Sequence, residues 1–289
     1  MMTILTVLFD GIAAGMLLFV LASGLAVTLG LMNFVNLAHG AFAMAGGYIC
    51  VVVVNRWGMP FLAALPVAFL FSAMIGALME RTLYCHLYGR SHLDQVLFTV
   101  GLVFMSITGV DYVMGSSQVF IDIPKYLQGQ IEVFGLGMSR YRLLIILLCS
   151  LITVAVQLIL TKTRFGSRLR ASVDDTRVAS GLGINVNTVF ALTFAFGSGL
   201  AGLGGALGAE ILGLDPTFPL KFLIYIMIVV TVGGTSSITG PFLASLLLGI
   251  GDVAGKYYVP KFGAFAIYAM MIVILIWRPH GLFSRAVSK

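Results

Sequence analysis

Charge is what this chain has least of. Asp, Glu, Lys and Arg make up 10% of its 289 residues, while 60% are hydrophobic; soluble domains carry about 25% charged residues. A water-soluble globule of this length has too much exterior to cover with so few polar side chains, so that class is excluded. Cysteine is scarce as well. Cys50, Cys85 and Cys149 have neither metal nor redox spacing, which leaves them as small packing residues. No G-x-x-x-x-G-K-[ST] stretch occurs, so the chain holds no P-loop for a nucleotide. No Ser-His-Asp, Cys-His or paired-carboxylate constellation is legible, and an enzymatic role has no support. His39 has no second His, Cys or carboxylate at ligand spacing, which argues against a metal site.

What is present is a succession of long apolar runs. Segments 4–31, 37–54, 60–79, 95–115, 141–161, 188–212, 219–235, 238–255 and 262–277 are continuous, close to the roughly 20 residues that span a bilayer as a helix, and not alternating. They predict an all-α polytopic membrane protein of about eight to ten transmembrane helices, a single membrane domain over residues 1–289. The breaks between them carry Asn55–Pro60, Gly89-Arg90-Ser91, Asp215-Pro216, Thr239-Gly240-Pro241 and Pro260-Lys261, the expected punctuation. The first run lacks a basic n-region and is too long for a signal peptide, so it reads as mature structure.

Sidedness follows from Lys and Arg. Arg81, Arg90, Lys162, Arg164, Arg168, Arg170, Arg177, Arg278, Arg285 and Lys289 fall on one set of alternate connections with only Glu80, Asp94, Asp174 and Asp175. The other seven basic residues are matched by seven acidic ones, so the net charge of +6 belongs to one face. The positive-inside rule puts that face, with the C-terminus, in the cytoplasm of a cell whose inner membrane holds the chain. The pI near 9.3 does not indicate nucleic acid, because the basic residues flank spans and no soluble surface carries a groove.

Two polar, glycine-containing interruptions fall in the two halves of the chain, around Leu31–Gly40 and Val232–Pro241. Paired interruptions in a transporter mark broken helices near the solute path, in a probable inverted repeat. Asn33, Asn36, His39 and Gly40, with Gly233, Gly234 and Ser236, are the candidate pathway elements; the alternative is that the polar groups only satisfy a helix break or an interhelical contact. Gly197 to Gly202 formally match G-x-G-x-x-G, but no strand precedes them. The small residues Gly197, Ala201, Gly205 and Ala209 recur every four positions, a stripe that lets a neighbouring backbone approach in lipid. In the polar stretch 162–187, Ser172 and Asp175 read as a weak capping box and Gly181 or Gly183 as a stop, predicting a helix of about two turns. It is either a solvated loop or a rigid helix that docks on a cytoplasmic motor. The stretch from Ser116 to Arg140 is the longest external connection.

The run Gly24–Met32, followed by Asn36–Phe42 and Gly46-Gly47-Tyr48, resembles the N-terminal signature of the branched-chain amino acid ABC transporter permeases, the LivH/LivM type. Thr163–Gly166, Arg170-Ala171, Ala179 and Gly183-Ile184-Asn185 resemble that family's coupling segment. Gly233-Gly234 with Ser236 and Gly240-Pro241 is similar to its second glycine-rich break, and Arg278–Phe283 to its ending. The resemblance implies a LivH-type subunit paired with a second related, LivM-like permease. It also implies two cytoplasmic ABC ATPase subunits that use ATP and Mg, a periplasmic solute-binding protein, surrounding lipid, and no cofactor bound by this chain. It carries coupling onto Arg170, Ala171, Asp174, Asp175, Ala179, Gly181, Gly183 and Asn185. Replacing Gly183 by a bulky residue is then expected to abolish uptake with membrane insertion intact. Relatives of this family carry urea, short amides or aromatic acids as well as amino acids. The rival readings are an ion-gradient-driven secondary transporter and a passive channel for a small polar solute.

Overall fold

The computed structural model describes residues 2–32, 34–133, 136–234, 237–278 and 281–282; Asn33 and Ser236 lie outside the described residues. Each predicted span becomes a helix. They are α1 (Met2–Met32), α2 (His39–Val51), α3 (Phe61–Thr82), α4 (His92–Met114), α5 (Arg140–Lys162), α8 (Val186–Leu212), α9 (Phe218–Gly233), α10 (Thr239–Tyr258) and α11 (Gly263–Trp277), with the short polar helices α6 (Arg164–Asp174) and α7 (Thr176–Gly181) between α5 and α8. A π-helical turn, Val52–Arg56, extends α2. Among the described residues α1, α3, α4, α5 and α8 are long and apolar enough to cross a bilayer, and the chain is a multi-pass membrane protein. The outward faces agree with lipid as the surroundings: Leu97, Phe104 and Met105 on α4, and Leu147, Leu151 and Val154 on α5, are exposed. Apolar side chains on such a face cost nothing in hydrocarbon.

Packing sets the directions. Gly11 of α1 abuts Ile250 of α10, and Gly15 abuts Leu246; farther along, the Phe19 and Phe242 rings meet edge-on at 5.3 Å. Those pairs run oppositely, so α1 and α10 are antiparallel. Gly24 faces Gly197 of α8, and Gly204 faces Leu21, again antiparallel. Gly76 and Ser72 of α3 face Ser198 and Gly202. The Tyr141 hydroxyl at the start of α5 donates to the Leu207 carbonyl near the end of α8, at 2.8 Å. Helix α8 is therefore the centre, buried along most of its length, with α1, α2, α3 and α5 around it. Alternation brings 83–91, 163–185 and 278 to one face of the bundle. The connections 115–139 and 213–217 share the other, joined by an isolated bridge between Val119 and Leu214; Asn55 also donates to the Phe120 carbonyl there, at 3.1 Å.

The long connection differs from a plain loop. It contains a 3-10 turn at Lys125–Leu127 and a hairpin, β1 (Gln130–Val133) and β2 (Leu136–Ser139), with Gln130 opposite Ser139 and Ile131 opposite Met138. Strands of four residues carry too little alternation to be read locally.

Candidate functional site

The first interruption is a true helix break. Residues 34–38 are non-helical yet deep in the bundle, with Phe34 and Asn36 each 1% exposed. A buried N–H without a partner is costly, and here the partners come from α4. Val35 N–H donates to Gln95 Oε1 at 3.1 Å, and Leu37 N–H to Thr99 Oγ1 at 3.2 Å. Asn36 serves the break itself: its Oδ1 accepts from Ala38 N–H at 3.1 Å. The His39 ring lies 3.0 Å from the Leu21 carbonyl through Nε2; a carbonyl only accepts, so Nε2 carries a proton. Gly40 abuts the Pro219 backbone at the start of α9, and a Cβ there would stand 2.8 Å from the Pro219 oxygen. Sequence reasoning missed Gln95 and Thr99, although two buried polar residues four apart on an apolar helix are a detectable stripe. Gln95→Leu is expected to strand the Val35 N–H, lowering stability by about 1–3 kcal/mol. Thermal unfolding of the purified protein reads this; Gln95 Nε2 also donates to the Leu87 and Arg90 carbonyls, at 3.2 and 3.4 Å, so Gln95→Glu, which keeps the acceptor but loses the donors, should not rescue the stability.

The second interruption follows α9. Gly233 packs against the backbone of Pro241, and Gly234 takes φ +84°, a conformation open to glycine but strained for other residues. Leu282 N–H donates to the Val232 carbonyl at 2.8 Å, so the chain returns to this break near its end. The first break meets α1 at the Leu21 carbonyl through His39, and α10, which follows the second, meets α1 at Phe19 through Phe242.

The coupling candidates, in contrast, share one elbow. The stretch forms two helices rather than the single helix expected. Thr163 caps α6, its Oγ1 accepting from Gly166 N–H at 3.3 Å. Asp175 caps α7, its Oδ1 accepting from Arg177 and Val178 at 2.9 and 3.0 Å. Ser172 is not a cap; it is buried inside α6. Arg170 donates to the Leu160 carbonyl, closing one of the orphan acceptors at the end of α5. Gly166 packs on the same residue's backbone. Gly183, at φ +81°, ends α7: its N–H bonds the Ser180 carbonyl at 3.0 Å and Ile184 N–H bonds Ala179 at 3.1 Å, the paired bonds of a Schellman stop. Asn185 then caps α8 by accepting from Thr188 N–H at 3.0 Å. Leu169 and Ala179 face inward, while Asp174, Asp175 and Gly181 are exposed and Ala171 is half-buried. The tip of α7 carries Val178 at 58% and Leu182 at 76% exposure.

Helix α8 meets its neighbours through small residues on several sides. Gly197 faces Gly24 of α1, Gly205 faces the Ala43 carbonyl of α2, and Ala201 and Ala209 are fully buried. Gly199 and Gly202, off the four-residue stripe, receive Phe69 and Ser72 of α3.

Residues 7–275 match the family described as "Branched-chain amino acid transport system / permease component". The chain is 27% identical to the high-affinity branched-chain amino acid transport system permease protein BraD of Pseudomonas aeruginosa, over 96% of this chain and 95% of that one. It is 24% identical to the corresponding permease protein LivH of Escherichia coli, over 96% and 94%. It is also 24% identical to the permease protein LivM of Escherichia coli, over 92% of this chain but 68% of that longer one. No solved structure matches.

Proposed function

Because this chain belongs to the branched-chain amino acid transport permease family, we propose that it is the LivH-type membrane subunit of an ATP-binding-cassette importer in the bacterial inner membrane. Its cargo is a branched-chain amino acid or a related small solute such as urea, an amide or an aromatic acid. The observation that carries the reading is the elbow. The chain holds no P-loop with which to bind ATP, and here a braced pair of short helices presents Val178 and Leu182 to the outside on the face that collects the arginines. Exposed apolar side chains at the tip of a polar element suit a partner's groove.

In this reading two cytoplasmic ATPase subunits hold ATP and Mg and grip the elbow. Arg170, which ties the elbow to the end of α5, and the cap at Asn185, which ties it to α8, carry the displacement into the bundle. The two broken passes, around Asn36, His39 and Gly40 and around Gly233 and Gly234, are the elements that yield, since a break concentrates motion where the ladder of hydrogen bonds is already interrupted. A second, LivM-like permease completes the pathway, and a periplasmic binding protein delivers solute to the opposite face, where the hairpin Gln130–Ser139 lies. The excess of Lys and Arg beside the elbow orients it, with the C-terminus, toward the cytoplasm.

The test is uptake of radiolabelled leucine into proteoliposomes holding this chain with a LivM-like permease, ABC ATPase subunits and a solute-binding protein. Accumulation is expected only with ATP. Accumulation driven by an ion gradient with no ATPase present would make the chain a secondary transporter; equilibration without accumulation would make it a channel.

A further inference from the structure

The outer face of α3 carries a furrow. Where α3 meets α8 there is a hollow of about 280 Å³, with Ala77 and Ala195 between the larger Met74, Leu78 and Leu192, and Arg81 at one end. A second hollow of about 560 Å³ shares Met74 and reaches Val67. The crossing explains the first. Gly76 meets Ser198 and Gly202 meets Ser72, so the two helices run close and antiparallel, and the alanines beyond that contact leave the gap unfilled. Met74, Leu78 and Leu192 are 66%, 63% and 54% exposed, so the furrow is open to the surroundings of the bundle. From Val67 to Arg81 the helix rises about 21 Å at 1.5 Å per residue, against roughly 15 Å of hydrocarbon in one leaflet. An apolar furrow thus runs the depth of a leaflet and ends at a cation.

Arg81 stands in the last turn of α3, beside the connection 83–91 on the elbow side. It is exposed, and among the described residues no carboxylate lies within ion-pair distance of it. Its neighbour Glu80 turns inward: it is 3% exposed and accepts from the Tyr88 hydroxyl at 2.9 Å. The occupant of the furrow must therefore bring a thin apolar body as long as a leaflet and a negative charge at one end. A protein helix, about 10 Å across, would rest on Met74, Leu78 and Leu192 without passing between them. A soluble anion would use the guanidinium and leave the apolar length empty.

We propose that this furrow is a binding site for an anionic phospholipid of the leaflet on the elbow side, its phosphate at Arg81 and one acyl chain along Ala77 and Ala195 between α3 and α8. The planar guanidinium suits the phosphate, because it offers two parallel N–H groups to two oxygens. The chain gains close contact on several sides, where a flat helix face offers one. A zwitterionic phospholipid carries its own cation beside its phosphate and gains less from Arg81. The site is independent of which solute the bundle carries.

The test uses the full-length chain in bilayers that mix phosphatidylcholine and phosphatidylglycerol. The exposed Trp57 and Trp277 are replaced by Phe. A single reporter is then introduced as Leu192→Trp beside the furrow or, in a control chain, as Leu151→Trp on the exposed face of α5. Either phospholipid, carrying the same brominated acyl chains, quenches the reporter on contact. Beside the furrow phosphatidylglycerol is expected to bind roughly fivefold more strongly than phosphatidylcholine, the preference one cation near the surface supports. On α5 the two should bind equally. Arg81→Gln should bring the ratio beside the furrow to that of the control, and Arg81→Lys should keep part of it. The α5 reporter in the Arg81→Gln chain, quenched as before, shows that the bundle is intact. Equal binding of the two lipids beside the furrow before any change at Arg81, or a preference that survives Arg81→Gln, overturns the site and leaves only bulk lipid there. Quenching by neither lipid also overturns it, in favour of a protein partner or a second copy of this chain covering the furrow.

Discussion

Membranes producing Gly205→Leu are expected to hold on the order of a tenth or less of the normal amount of folded protein, because destabilised chains are cleared. Gly205 lies where α8 crosses α2, and a Cβ there would overlap the Ala43 carbonyl oxygen and its neighbouring backbone atoms. Backbone cannot rotate aside as a flexible side chain can. The two helices must part, opening the contact between Gly46 and Gly202 one turn away. The cost exceeds the roughly 1–3 kcal/mol of ordinary overpacking. Gly101 on α4 is the control: it is exposed, and nothing lies within 4 Å of a Cβ built on it. Gly101→Leu should accumulate normally, since leucine is also the better helix former. The readout is the monodisperse fraction of detergent-solubilised protein. Equal accumulation of both variants would mean that α2 and α8 do not cross at Gly205.

Gly181→Trp should leave the amount and melting temperature of the protein unchanged while reducing ATP-dependent uptake at least tenfold. Gly181 is the last residue of α7, is exposed, and has nothing within 4 Å of its Cβ position. A Cβ there meets nothing of this chain, so a loss of transport at unchanged amount and melting temperature points to a partner. Gly183 is a poorer place for the same experiment. Its φ of +81° means a side chain also strains the backbone, by about 1–3 kcal/mol, and a failed variant would confuse docking with folding. Recovery of the ATPase subunits with tagged Gly181→Trp should fall in parallel with uptake. Normal uptake by this variant would remove the elbow from the coupling path.

The elbow also illustrates how far local reading goes. Polar composition and the glycines at 181 and 183 mark a short helical segment between two spans. The division into two helices depends on Thr163 and Asp175 each catching two or three residues ahead, and an Asp followed by another Asp offers two cap positions to a sequence reader. The anchor from Arg170 to Leu160 crosses the α5–α6 corner and becomes visible only once the corner is turned.

From its residues alone the chain is committed to lipid, to helices over nine stretches, and to interruptions around Leu31–Gly40 and Val232–Pro241. Those properties depend on hydrophobic runs and on polar or glycine punctuation, which act on neighbours in the chain. The folded structure decides what makes the breaks tolerable and where charge survives inside. Val35 finds Gln95 across a separation of 60 residues, Asp10 on α1 finds Arg142 on α5, and Asp252 on α10 finds Lys256 one turn on. Backbone groups and carboxylates in a low-dielectric interior must be satisfied by whatever is adjacent in space, and adjacency between helices far apart in sequence is settled only when the bundle closes around α8.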